Sequence, residues 1–294
     1  MIEKLKEFEV YRKKESKKAN IFFITGGSLI AIGAIGMMFV QFIVFIAFVG
    51  VVLLALGFSV HNSINKEFKS RFIIDIIKNI YPNAVYDSKH GLDLQQIMEP
   101  GFFKRPDRFY SEDYVAAKYN DISFMMSDFT LQERHVSCNS NGGTTVSYVN
   151  YAKGRFMIFD FKRPFTQVLK IAETKYLGLN TRGLEKIETE SVAFNKKFDT
   201  YTSDSLTAFY VLTPQIQLKL LELESKFKGS IFFGYMNGKM YVAICDNVSI
   251  LDINASKEIT EEVLSILESQ LLVPAAIINE LKLDSDKYNE GDAI

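Results

Sequence analysis

The sequence predicts a membrane-anchored α+β protein. An N-terminal two-helix transmembrane hairpin is followed by a mainly antiparallel sheet domain with covering helices. Three observations predict it. Residues 21–60 form a run of forty with no charged side chain. Lys and Arg crowd both flanks, at Arg12-Lys13-Lys14 and Lys17-Lys18 before the run and at Lys66, Lys69 and Arg71 after it. Beyond it the chain divides into short strand-like runs, with Asn237-Gly238 as the sharpest hairpin turn. The expected organisation is an N-terminal cytoplasmic segment 1–20, the hairpin 21–60, a stalk helix 61–82, a cytoplasmic α+β domain 83–284 and a polar tail 285–294.

A bilayer core takes about 20 apolar residues per helical pass. Forty residues in one helix would span about 60 Å, twice the hydrocarbon thickness. Two passes therefore fit, Ile21 to Phe39 and Phe42 to Val60, with Gln41 in the outer turn. Helices also satisfy their own backbone groups in lipid. Gly33, Gly50 and Gly57, with Ala31, Ala34, Ala47 and Ala55, are small enough to let the passes approach closely. Positive residues near both ends place both flanks on the cytoplasmic side. The run is too long for a cleavable signal peptide, and a charged segment precedes it.

The elements follow in order. Residues 1–20 read as a short helix. Phe68, Phe72, Ile73, Ile76, Ile77 and Ile80 recur at helical spacing until Pro82. A short helix is expected at Leu92–Met98, amid Gly91, Pro100, Gly101 and Pro106. Strands are expected at Tyr114–Tyr119, Ile122–Met126, Phe129–Val136, Val146–Tyr151 and Arg155–Phe161, the last two joined through Ala152-Lys153-Gly154. Apolar residues on both faces of 155–161 make that strand central. Asn139-Ser140-Asn141-Gly142-Gly143 reads as a turn. Further strands are expected at Thr166–Ala172, 185–191, Phe198–Thr202 and Leu206–Leu212, with a helical turn at Val192–Lys197. Thr213 caps a helix that starts with Pro214 and ends at Gly229. Ile231–Met236 and Lys239–Cys245 form a hairpin. Two tail helices follow, the first capped by Thr260 and broken at Pro274, the second Ala275–Leu283.

The formal net charge is −1, which argues against nucleic acid as a partner. The basic excess lies beside the membrane run, and the lipid bilayer is the expected partner there. Cys138 and Cys245 stand far apart and form no metal-binding spacing. In a cytoplasmic domain they would be reduced.

From residue 185 to 246 the chain shows a distinctive succession. It contains Phe194-Asn195-Lys196-Lys197-Phe198-Asp199-Thr200-Tyr201, then Tyr210-Val211-Leu212-Thr213-Pro214, then a helix and a hairpin ending Lys239-Met240-Tyr241-Val242-Ala243-Ile244. This pattern, with Gly154-Arg155-Phe156, resembles an uncharacterised bacterial membrane-protein family of unknown function, sometimes labelled galanin-like. The similarity runs from about Ile64 to Leu283. The resemblance implies a cytoplasmic domain behind a pair of membrane helices at the bacterial plasma membrane. It also implies association with LemA-type membrane proteins, and it supplies no catalytic residues.

No catalytic, cofactor or metal constellation is legible. His61 falls at the membrane interface, His90 in the loop Lys89-His90-Gly91, and His135 on a strand end. His135 and Cys138, three apart on a strand, point to opposite faces. Glu185, Glu188 and Glu190 read as the solvated side of a strand and its approach. Gly142-Gly143 lacks the lysine of a phosphate loop. The exception is a stretch that packs aromatics and positive charge together: Phe102, Phe103, Lys104, Arg105, Arg108 and Tyr110. It reads as a docking loop, the alternative being a loop pinned to the core by its aromatics. The expected function is a non-enzymatic binding or scaffold module that recruits a protein partner to the inner leaflet. The rival is an enzyme or sensor acting on a lipid or membrane-bound substrate.

Overall fold

The charge-free run folds as two helices. In the computed structural model, which describes residues 2–36, 44–138, 143–161 and 166–285, α1 spans Ile2–Gly36 and α2 spans Val44–Phe68. Both are long and apolar enough to cross a membrane. The expected outer turn at Gln41, and the ends of both passes beside it, lie outside the described residues. The short N-terminal helix is continuous with the first pass, because no Gly or Pro interrupts the chain from Ile2 to Thr25. A π-helical turn, Lys69–Ile73, and α3, Ile74–Ile80, continue α2, and Pro82 lies just past the end.

The chain divides into two compact units. The first comprises Met1–Ile76 with Leu251–Glu268. Here α1 and α2 pack through small residues. A Cβ on Gly26 would stand 2.7 Å from Gly50 O, and one on Gly33 would stand 2.7 Å from Ala47 Cβ. Many large apolar side chains of the pair, among them Ile24, Ile35, Phe45 and Phe48, are exposed. Nearer the N-terminus, Phe8 packs against Phe68 and Phe72. Polar contacts hold the 251–268 segment to these helices. Arg12 Nη1 donates to Ala255 O at 3.0 Å, Ile259 N to Glu9 Oε1 at 2.9 Å, and Ile253 N to Asn65 Oδ1 at 3.0 Å. Lys69, although buried, pairs with Asp252 at 2.8 Å.

The second unit comprises Ile77–Ile250 with Ser269–Ile294. Its strands are β1 Val85–Asp87, β2 Arg108–Tyr119, β3 Ile122–Cys138, β4 Thr144–Asp160, β5 Leu169–Glu173, β6 Glu185–Ile187, β7 Phe198–Thr202, β8 Ser230–Met236 and β9 Lys239–Cys245. Among the described residues they form one sheet in the order β1-β2-β3-β4-β9-β8-β5-β7-β6, with every neighbour antiparallel. Its helices are α4 Leu94–Met98, α5 Val192–Lys197, α6 Ser205–Val211, α7 Pro214–Ser225 and α9 Val273–Leu281; α8 is Glu261–Leu271. The β4 strand is central and buried on both faces from Phe156 to Phe159, as its apolar pattern requires.

Several local expectations are corrected. The strands expected at Ile122–Met126 and Phe129–Val136 are one strand, β3, and the strand expected over 185–191 ends at Ile187. Ala152-Lys153-Gly154 is not a connection between strands. It lies inside β4, paired with Leu131, Thr130 and Phe129. A register shift between Leu131 and Gln132 absorbs the irregularity. Gly154 is required there, since a Cβ would meet Ile244 O at 1.9 Å. Leu206–Leu212 is not a strand but the region of α6. Asp204 caps that helix by accepting from Thr207 N at 2.8 Å, and this local bond outweighs the strand preference of Phe209-Tyr210-Val211. Most of the expected turn at Asn139–Gly143 lies outside the described residues.

Candidate functional site

The loop rich in aromatics and cations splits into an inner and an outer half. Gly101, at φ +66°, turns the chain so that Phe102 and Phe103 enter the core. Phe102 packs against Phe156 and Phe232, and Phe103 against Phe129 and Phe232. Neither ring is open to a partner, so the docking surface expected of Phe102 and Phe103 is corrected: burial of large apolar rings outweighs their loop position. Lys104, Arg105, Arg108 and Tyr110 stay exposed.

The outer half braces a neighbouring structure that the sequence did not single out. Strands β3 and β4 are 17 residues each. The ladder of β2 on β3 ends at Arg108–Gln132, and that of β9 on β4 starts at Arg155–Ile244. Residues 133–138 and 144–149 therefore continue as a two-stranded ribbon. Such a ribbon is marginal in water by itself, and the loop supports its base. Lys104 Nζ pairs with Glu133 at 2.6 Å and lies 5.3 Å from the centre of the Tyr151 ring. Tyr151 OH donates to Lys104 O. Asp107 Oδ2 accepts from Arg134 N at 2.8 Å, and Asp107 N donates to Gln132 O at 2.9 Å. The Arg108 guanidinium lies 3.3 Å from the centre of the Tyr148 ring. Burial pushes the Tyr151 phenol above its ordinary value, with Tyr176 and Glu133 adding to the shift, so it remains a donor.

The braced ribbon presents apolar side chains to solvent. Val136 and Val146 face one another across the ladder on one face of the ribbon, and Val149 stands on the other face, opposite Glu133. All three valines are exposed. The only sequence signal for them was valine in a run of Thr, Ser and Asn, which does not distinguish a covered strand from a bare one.

The remaining candidates stay apart. His90 Nδ1 lies 2.8 Å from Asp87 Oδ2 on the surface. His135 and Cys138 pair with Ser147 and Thr144, on opposite faces of the ribbon. Burial pushes the Cys245 thiol up to about 12, with Asp246 and Glu173 adding to the shift, which disfavours the thiolate there. Among the described residues no group of three or more His, Cys, Asp or Glu is arranged to hold a metal. Sequence reasoning also passed over Lys170, which is buried in β5 and donates to Asn180 O at 2.8 Å. Burial lowers its pKa.

Residues 151–283 match a family model described as a protein of unknown function (DUF3137). The match runs from the inner half of β4 through α9 and includes Tyr210-Val211-Leu212-Thr213-Pro214. No curated protein matches the chain. Among solved structures, the crystal structure of the mycobacterial trehalose monomycolate transport factor A, TtfA, is similar at a TM-score of 0.38 and 10% identity, over 71% of this chain and 93% of that one. At that TM-score nothing about fold or role is transferred.

Proposed function

We propose that this chain is a membrane-anchored binding module. Its helix pair would hold it in the bacterial plasma membrane with both termini in the cytoplasm. Its sheet unit would recruit a protein partner at the inner leaflet, through the β3–β4 ribbon and the exposed half of the loop. A LemA-type membrane protein is the partner that the family resemblance implies. The observation that carries the reading is the outward-facing apolar surface of α1 and α2, with no charge from residue 21 to 60. In water each such side chain forgoes about 1.5–3 kcal/mol of burial, which hydrocarbon restores.

Topology is testable with the native cysteines. Cys138 is exposed, whereas Cys245 is half-buried and its thiol is shifted up. A membrane-impermeant maleimide should label Cys138 only after cells are permeabilised. Labelling in intact cells would reverse the orientation. Recruitment is tested by placing a photo-crosslinking residue at Val146 in the full chain. One dominant adduct is expected, and it should be lost in Val136→Ser, whose side chain shares the face of Val146. An adduct unaffected by that change would remove the ribbon from the proposal.

A further inference from the structure

A groove of about 690 Å³ lies where the loop 188–191 meets the start of α7. Phe209, Leu212 and Pro214 supply its apolar lining, and Glu188 and Glu190 are exposed beside them. Gln217 also lines it, with only 5% of its surface exposed.

The orientation of that amide is determined by its surroundings. Gln217 Nε2 donates to Leu212 O at 2.7 Å. Turned over, the amide oxygen would face a carbonyl that can only accept. Oε1 is therefore the outstanding atom, and it has no hydrogen-bond partner among the described residues. A buried acceptor without a donor is costly, and the Gln217 side chain lines the groove.

The helix start leaves few donors for an anion. Pro214 has no N–H, Ile216 N donates to Thr213 Oγ1, and Gln217 N donates to Thr213 O, so Gln215 N is the open backbone donor of the first turn among the described residues. Two carboxylates add further acceptors. The groove thus sets two carboxylates and the Gln217 oxygen, with the Ser191 and Thr213 hydroxyls, around an apolar lining, a charge pattern that suits a cation better than a phosphate.

We propose that this groove binds a lysine side chain of an extended peptide segment with apolar flanks. The ammonium carries three donors and no acceptor. One would reach Gln217 Oε1, and Glu188 and Glu190 would take the charge. The aliphatic stem would lie along Phe209, Leu212 and Pro214, as lysine stems do on apolar surfaces.

The full chain in nanodiscs of zwitterionic lipid is titrated with fluorescent acetyl-Gly-Val-Lys-Val-Gly-amide, with empty nanodiscs as control. Replacing the lysine by glutamine should weaken binding about tenfold, as should Glu188→Gln/Glu190→Gln in the protein. Both carboxylates are exposed, so that variant is expected to fold. Carbodiimide coupling, which joins an amine to a carboxylate in contact, should map to Glu188 or Glu190. Equal binding of the lysine and glutamine peptides would overturn the proposal. So would coupling only elsewhere, preference for a glutamate peptide, or full displacement by an equal concentration of spermidine. Because the ribbon variant leaves this groove intact, its failure is distinguishable from failure of the recruitment reading.

Discussion

Ile24 on α1 and Ile171 on β5 are the same side chain in opposite situations. The first is 71% exposed and the second 0%. The contrast extends to each surrounding unit. In the sheet, Phe129, Phe156 and Tyr241 are buried together with Phe102 and Phe232. In the helix pair, Phe45, Phe48 and Phe58 face outward, and the contact between helices is made by Gly26, Gly33 and Gly50. Apolar composition alone therefore does not define a core. In the sheet the apolar atoms are the packing, whereas in the helix pair small residues make the packing and the large ones are left for the surroundings, the arrangement suited to lipid.

The largest effect expected from testing this contrast is at Gly154. Gly154→Ala would place a Cβ 1.9 Å from Ile244 O, a backbone atom in the centre of the sheet. A loss of about 4 kcal/mol or more is expected, seen as failure to accumulate or rapid proteolysis of the full chain. Wild-type resistance to protease would contradict the close strand contact.

Next comes a matched pair of truncations. Phe156→Ala should cost about 3–5 kcal/mol in a denaturant melt followed by sheet signal. Phe48→Ala should leave that melt unchanged and weaken retention in membranes instead. Equal shifts in the melt from both would break the distinction between the units.

A smaller effect tests the helix contact. Gly50→Leu would set a side chain 2.6 Å from Gly26 O, costing about 1–3 kcal/mol by overpacking. Oxidative cross-linking in a Phe23→Cys/Phe58→Cys background, whose rings lie 5.1 Å apart across the helix pair, should slow. Unchanged cross-linking would mean that the helices are not held by their small residues.

The smallest effect concerns pH. Burial raises the pKa of Glu9, but hydrogen bonds from Arg12 and the Ile259 N–H outweigh it and leave it below the ordinary 4.5. A carboxylate depressed in the folded state adds stability above its unfolded pKa and loses it as pH falls through the folded value. Glu9→Gln should flatten the acid limb of the stability curve below about pH 4.5 and leave its shape at higher pH unchanged. An unaltered acid limb would show that other groups control it.

Much of the secondary structure was legible because its causes are local. The run 21–60 has no charge, Pro82 stops a helix, Thr213-Pro214 starts one, and Asn237-Gly238 turns a hairpin. Local reading failed where a distant partner or a competing bond intervened. Ala152-Lys153-Gly154 has turn-like composition but is kept extended by pairing with β3. Phe209-Tyr210-Val211 has strand-like composition but follows the Asp204 cap. Of the proposed docking residues, the charge of Lys104, Arg105 and Arg108 indicated exposure, while nothing nearby in the chain revealed that Phe102 and Phe103 meet Phe156 and Phe232.

By itself the sequence determined two apolar helices and a chiefly antiparallel α+β unit behind them. Charge exclusion, proline chemistry and period-two alternation act over a few residues and need no partner. Tertiary structure alone decided that β4 pairs with β9, that 251–268 belongs with the N-terminal helices, and that two valine-bearing strands continue past their neighbours. It alone brought Glu188 and Gln217 to one groove. These are contacts between residues far apart in the chain, fixed by the register of a sheet and by which buried polar atoms find partners, and no local pattern encodes them.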